Sequence, residues 1–571
     1  MSGVNPPEGP GSGSDWPATG GSPEYLDQNA GGPLATTATP RRSRKKPLLI
    51  AGGVVIALGA AGGAWALTSF LSQGPQPAVA LPSETVAYAS IDLDPSGGQK
   101  IEALRTLNKF PSFKDKVGLS TSDDIRRKMV DEFNKQSECK VDYGKDVEPW
   151  LGDRAAVAAV DVGEQWPAAV EVVQVKDDAK AEAGIKKLIG CAGAAANDAV
   201  AYSVHDGWAV LGSKQDQVDK IVALTKSGNL ADDAAYQKWT SSVGDPGIVN
   251  VYVAPSAGDY LAKGLDRLGG AFSGLGDGGL VTQSATAAAV PSSYEGKAAA
   301  DCSGSGTNPL GPAADMVRSF NGMALTVRFH DGALEVESAV DSGQSATGSD
   351  QGDAMIGTLP ADTPAALGLS IDPEWLSHLA DQMASMDGCS SADDLVQQWS
   401  QASGLDLPAD FKTLVGSSVS VSLGKDFDPQ TAEESSNGVG VPAAVKIKGD
   451  PTAIRGVLDK LSAKGLPGSA ATALQSDDQG DVIVVGPTPA YRQQLLANGG
   501  LGQSSTYRDV ISHSAGNSAV LFVNLDDVRT WVTSVEQDPE VEANMKPLAA
   551  LGISAWMDGK VSHALFRVTT H

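Results

Sequence analysis

Two stretches of this 571-residue chain match each other without a gap. Leu81–Pro95 reads LPSETVAYASIDLDP and Leu359–Pro373 reads LPADTPAALGLSIDP, an offset of 278. Further matches follow in the same order: Thr121–Ile125 answers Ser391–Leu395 at 270, and Pro167–Val170 answers Pro442–Val445 at 275. Gly207–Gly212 answers Asp481–Gly486 at 274, Tyr252-Val253 answers Phe522-Val523 at 270, and His330–Gly332 answers Met557–Gly559 at 227. One such block is chance, whereas a collinear series is a duplication, so the chain reads as two related folding units. Its length points the same way, because single hydrophobic cores stop growing well short of it. The drop from 270 to 227 places an insertion of 43 residues in the first copy, at about 257–319, where the sequence turns rich in Gly, Ser and Ala.

Local patterns predict the elements of each copy. Val86–Leu93 is a β-rich run, and Asp94-Pro95 and Asp372-Pro373 read as helix N-caps with proline at the first helical position. Thr121-x-x-Asp124 and Ser391-x-x-Asp394 resemble capping boxes before apolar residues at helical spacing. Ala155–Val160 with Ala168–Val175, and Ser417–Leu423 with Ala443–Ile447, read as paired strands, while Asp177–Leu188 and Pro451–Leu461 read as amphipathic helices. Asp331-Gly332 and Asp558-Gly559 between apolar runs are strong hairpin signals. The fold class expected is α+β, with two tandem halves of mainly antiparallel sheets. The expected boundaries are 81–345 for the first repeat and 357–571 for the second.

Ahead of the repeats, Pro47–Gln73 carries no charge, and its apolar core, Leu48–Leu71, would span about 36 Å as a helix. Arg41, Arg42, Arg44, Lys45 and Lys46 precede it, and the next charge is Glu84. This predicts one uncleaved transmembrane helix at 47–72, with a disordered tail over 1–46 in the cytoplasm and everything beyond outside the cell membrane. A cleaved signal peptide would have a shorter apolar run, although Ala78-Val79-Ala80 looks like a cleavage site. Gly59 and Gly63 form a GxxxG pair, and Thr36, Thr37 and Thr39 are possible phosphate acceptors. The net charge of −26 excludes nucleic acid as a partner, since phosphate recognition needs a basic face. The four cysteines, Cys139, Cys191, Cys302 and Cys389, are even in number and all on the outer side, which favours disulfides; Cys139–Cys191 with Cys302–Cys389 is the preferred pairing of the three possible.

Catalytic motifs do not emerge. The six histidines show neither HExxH nor paired helical spacing, there is no GxSxG and no phosphate-binding loop, and no CxxC occurs. Gly274–Gly279 matches GxGxxG as a string but follows no strand. The acid pairs Asp92/Asp94, Asp123/Asp124, Asp177/Asp178, Asp232/Asp233, Asp393/Asp394, Asp477/Asp478 and Asp526/Asp527 read as helix caps rather than calcium ligands. The tryptophans read as core rather than as a ligand platform. No catalytic, metal or cofactor residue is therefore expected, and no cofactor.

With its Pro/Gly-rich tail, basic stop, apolar run, the opening LPSETVAYASIDLDPSGGQ and KFPSF shortly after, the chain resembles an actinobacterial family of single-pass membrane proteins built on a domain of unknown function. The resemblance implies an envelope location and brings no activity or site residues with it. The expectation is a non-enzymatic binding or scaffold module whose partner is an envelope protein, glycan or lipid, seated in the cleft between the copies. The alternatives are an extracytoplasmic hydrolase, with His205 or His330 and acidic residues brought together only by folding, or a transmembrane sensor.

Overall fold

The computed structural model describes residues 76–92, 98–116, 124–136, 140–191, 200–273, 317–341, 351–387, 391–435, 438, 440–463, 472–497, 499–513, 516–535 and 538–571. The expected tail, apolar run, Gly59/Gly63 pair, threonines 36–39, Asp94-Pro95 cap, Thr121 box and the GxGxxG string lie outside them.

Short runs rich in Val, Ala, Leu and Ile alternate buried with half-buried residues, the period of a pleated strand. The strands of the first copy are β1 (Thr85–Asp92), β2 (Leu151–Val160), β3 (Ala168–Val175), β4 (Ala201–His205), β5 (Trp208–Gly212), β6 (Val249–Val253), β7 (Met323–His330) and β8 (Ala333–Val340). Those of the second are β9 (Ala365–Leu369), β10 (Ser418–Leu423), β11 (Ala443–Lys448), β12 (Ser476–Gln479), β13 (Val482–Val485), β14 (Ala519–Asn524), β15 (Leu548–Asp558) and β16 (Val561–Thr570).

These strands form one 16-stranded sheet, ordered β12-β13-β11-β10-β9-β14-β15-β16-β8-β7-β6-β1-β2-β3-β5-β4. Every pairing in it is antiparallel. Read inward from either edge, the order is the same: 4-5-3-2-1-6-7-8 on one side and 12-13-11-10-9-14-15-16 on the other. The two series meet where β8 pairs with β16, Ala333–Val340 against Ser562–Thr569. This corrects the expectation of separate sheets in two halves. Each half ends in a strand whose outer hydrogen-bonding edge is unpaired, and pairing those two edges satisfies both. All the described strands belong to one compact unit. Among the described residues no helix is long and apolar enough to cross a membrane; 47–72, where the transmembrane helix is expected, lie outside them.

Turn chemistry follows the sequence. Asp331 and Gly332, at φ 50° and 72°, make the β7–β8 hairpin, and Gly559 at 60° turns β15 into β16. The same Asp-Gly pair, Asp206-Gly207 at 52° and 80°, turns β4 into β5. Ser391 and Asp394 form the expected capping box.

One face of the sheet is sealed. Tyr88, Ala158 and Val170, successive across β1, β2 and β3, are buried under the 3-10 turn Pro77–Ala80 and the helices Gln215–Thr225 and Ala234–Ser242. Ala366 and Ala444 are buried likewise with Tyr491, Leu495 and Tyr507 of the helices Pro489–Leu496 and Ser505–Val510. Ala78 and Ala80 are 0% and 2% exposed in the first core, so the triplet that resembled a cleavage site is built into the fold.

The opposite face is covered in patches. The helices Gly98–Leu107 and Pro111–Lys116 pack on Phe329, and Asp178–Cys191 packs near Val175 and Ala209. Pro451–Ala463 packs on Ile447 and Ile483. Contacts between the halves continue on this side: Lys109 Nζ donates to Thr570 Oγ1 at 2.8 Å, and Ser112 Oγ donates to Glu540 Oε1 at 2.6 Å.

Candidate functional site

The ladder registers trace one row across the patchily covered face. Leu211 lies beside Glu171, which is beside Val157, then Ala89, Val251, Leu325 and Ser338 on β8. The row crosses the join to Ala564, Ala555, Ala519, Leu369 and Val419. Val421, two residues further along β10, therefore faces the same way as Val157. Both are exposed, at 39% and 41%. They also occupy matching places, since Val157 is opposite Ala89 on β1 and Val421 is opposite Leu367 on β9.

Among the described residues seven large apolar side chains are exposed; only Val157 and Val421 occupy matching ladder positions, and four others lie on corresponding helices without matching in register. Ile101 and Met383 lie on Gly98–Leu107 and Trp375–Asp387, the helices after β1 and β9. Leu261 and Val532 lie on Ala257–Ser273 and Leu525–Val535, the helices after β6 and β14. The seventh is Trp166, in the β2–β3 hairpin, whose ring lies beside Gly264. Singly scattered exposed apolar residues need no explanation, so of these only the ladder-matched pair Val157 and Val421 stands out as a candidate contact surface.

Two charged groups stand at apolar positions. Glu171, half-buried next to Val157, has its carboxyl pushed up to about 8 by burial. Lys446, on the sealed face, is 4% exposed; burial pulls its ammonium down to about 8, and it donates to Thr358 Oγ1 at 2.7 Å. A third feature is a ring stack at the join. Trp556 on β15 lies between His513 (centroids 4.1 Å, planes 7° apart) and His563 of β16 (5.1 Å, 9°). Further along the same β8–β16 pairing, opposite Arg567, Glu335 of β8, its side chain 4% exposed, accepts from Arg328 Nε at 2.8 Å and from Arg567 of β16. Arg328 also binds Glu337 and the Val243 carbonyl. The join expected to form a cleft is thus a hydrogen-bonded ladder with a buried ion cluster on it.

Other sequence expectations fall as follows. Cys191 ends its helix disulfide-bonded, while Cys139, Cys302 and Cys389 lie outside the described residues, so no connectivity is read. His205 on β4 and His330 on β7 are not brought together; each has Nδ1 3.6 Å from the neighbouring aspartate, and His330 is also 3.8 Å from Glu335. Among the described residues no group of three His, Cys, Asp or Glu side chains is placed to hold a metal ion. Asp177 and Asp233 cap helices as expected, but Asp477 and Asp478 sit on edge strand β12, paired with Arg492 and Arg455 beside a polar recess of about 580 Å³. Trp150, Trp208 and Trp239 are core, whereas Trp166 is exposed and Trp556 is in the stack. The stack was missed because its members are far apart in sequence or hidden in a strand. Its one legible signal was His563 facing Trp556 across the Asp558-Gly559 hairpin.

The architecture defines the class first: an α+β protein built on one large antiparallel sheet. The family described as Protein of unknown function (DUF3352) matches residues 48–265, from the apolar run through β6 into the helix after it. No curated protein matches the chain. A solved structure titled "Structure of crystal form III of TP0453" is similar at 10% identity, covering 48% of this chain and 82% of that one, with a TM-score of 0.20.

Proposed function

We propose that the protein is a non-enzymatic binding or scaffold module on the extracytoplasmic side of the cell membrane, with an envelope protein, glycan or lipid as partner. The observation that carries this reading is the pair Val157 and Val421, exposed at matching places on one face of a continuous sheet. Apolar side chains held open on a rigid ladder favour a partner that brings apolar surface. The disulfide at Cys191 supports an oxidising compartment.

The test is a photo-crosslinking residue placed at 157, at 421 or at the exposed hairpin position 206 in producing cells. Adducts common to 157 and 421, absent at 206 and reduced by Val157→Asp or Val421→Asp on the untagged strand, support the reading. Adducts independent of position, or none at the two valines, overturn it.

A further inference from the structure

We propose that the His513–Trp556–His563 stack is a proton-operated latch on the join between the two halves of the sheet. His563 is 7% exposed, lies on the strand that pairs with the other half, and has its Nδ1 buried without a hydrogen-bond partner. One face of its ring is covered by Trp556, and Trp556 is covered in turn by His513, so the three planes share one column. A neutral imidazole fits that place. A protonated one carries a charge in a position whose nearest strand neighbours, Ala339 and Trp556, offer no acceptor side chain.

The titratable groups around the ring set the direction. Burial holds the His563 imidazole below its ordinary value, and His513 adds to this; Glu337 on β8 and Asp558 at the end of β15 oppose it. Glu337 is already bound by Arg328, and Arg567 on the same strand as His563 is bound by Glu335. Arg508 and Asp509 belong to Ser505–Val510, which packs on β15 and β16 through its other side, and both are exposed. With the folded-state value below the unfolded one, the stack's contribution is complete above pH 6.5. It is lost as the pH falls from there through the folded value, because the unfolded chain takes up the proton first. Protonation then either opens the column or draws Glu337 away from Arg328, and both loosen the β8–β16 seam.

The experiment follows tryptophan emission of the full chain from pH 8 to pH 4.5. A reversible step with its midpoint below pH 6.5 is expected, because a protonated imidazole against indole quenches it. The step should disappear in Trp556→Phe, which keeps a ring in the column, and in the double variant His513→Gln/His563→Phe, which leaves no imidazole against the indole, while His513→Gln alone should keep it. His513→Gln should raise the midpoint. A step at or above pH 6.5, or one of the same size in wild type and Trp556→Phe, overturns the latch. Should the double variant fail to fold, the urea midpoint of wild type against His513→Gln between pH 7 and pH 5 decides: equal loss in both overturns it.

Discussion

The two halves of the sheet share a strand order but fill their sealed cores differently. Across β1, β2 and β3 the first half places Tyr88, Ala158 and Val170; across β9, β10 and β11 the second places Ala366, Ser422 and Ala444. The volume given up by the strands returns from the helix above, where Tyr491 is 4% exposed and donates to Ser422 Oγ at 2.9 Å. Tyr236 lies edge-on to Tyr252 in one half as Tyr507 lies tilted against Phe522 in the other, at 5.2 and 5.3 Å between ring centres. Backbone pairing, which fixes the register, is thus retained while side-chain volume moves between layers. Charge is redistributed too: Val172 and Lys446 are counterparts, as are Glu171 and Val445.

The sharpest way to break the comparison is at the seam, which has no counterpart inside either half. Glu335→Ala leaves Arg567 buried without its acid and removes one partner of Arg328, and should cost about 3–5 kcal/mol in urea unfolding. A cost below 1 kcal/mol would show that the ion cluster is incidental to the join. Next comes volume: Tyr491→Ala should cost about 3 kcal/mol, and Ala366→Tyr in that background should recover part of it if the two tyrosines fill equivalent space. No recovery would limit the equivalence to the backbone.

Smallest, and opposite in pH dependence, are the two misplaced charges. Lys446→Met should stabilise by about 2 kcal/mol below pH 8, and the gain should fade as pH rises towards the ordinary lysine value near 10.4, where the unfolded chain also loses its proton. Glu171→Gln should stabilise by about 1 kcal/mol above pH 8 and fade as pH falls towards about 4.3, a figure reduced for the group's partial exposure. Thermal unfolding at pH 5, 7, 9 and 10.5 distinguishes the two profiles.

Hairpins, caps and the order of matching blocks were legible because each is a local rule: Asp-Gly at a tight turn, Ser-x-x-Asp at a helix start, two-residue alternation in a strand. The seam was not, because nothing in the periodicity of β8 or β16 says which of the sheet's strands will lie beside it. The match of Pro167–Val170 to Pro442–Val445 at 275 also misled by one residue. The ladder puts Val170 opposite Ala158 and Ala444 opposite Ser422, a spacing of 274, so Glu171 corresponds to Val445 and Lys446 to a core valine. A slip of one residue turns every side chain to the other face: the 275 offset pairs Glu171 with Lys446, which the ladder places on opposite faces. The candidate surface is not legible for the same reason: alternation along Ala155–Val160 and Ser417–Leu423 does not say which side of the sheet Val157 and Val421 occupy.

The pairing of β8 with β16 also orders events during synthesis. β8 is complete by residue 340, yet the strand that covers it, 561–570, follows every other described strand in the chain. While the ribosome makes the intervening segment, the first half carries a bare eight-residue edge, able to recruit the wrong strand from a neighbouring nascent chain. A frameshift or early stop ahead of residue 561 would leave that border of the first half without its covering strand.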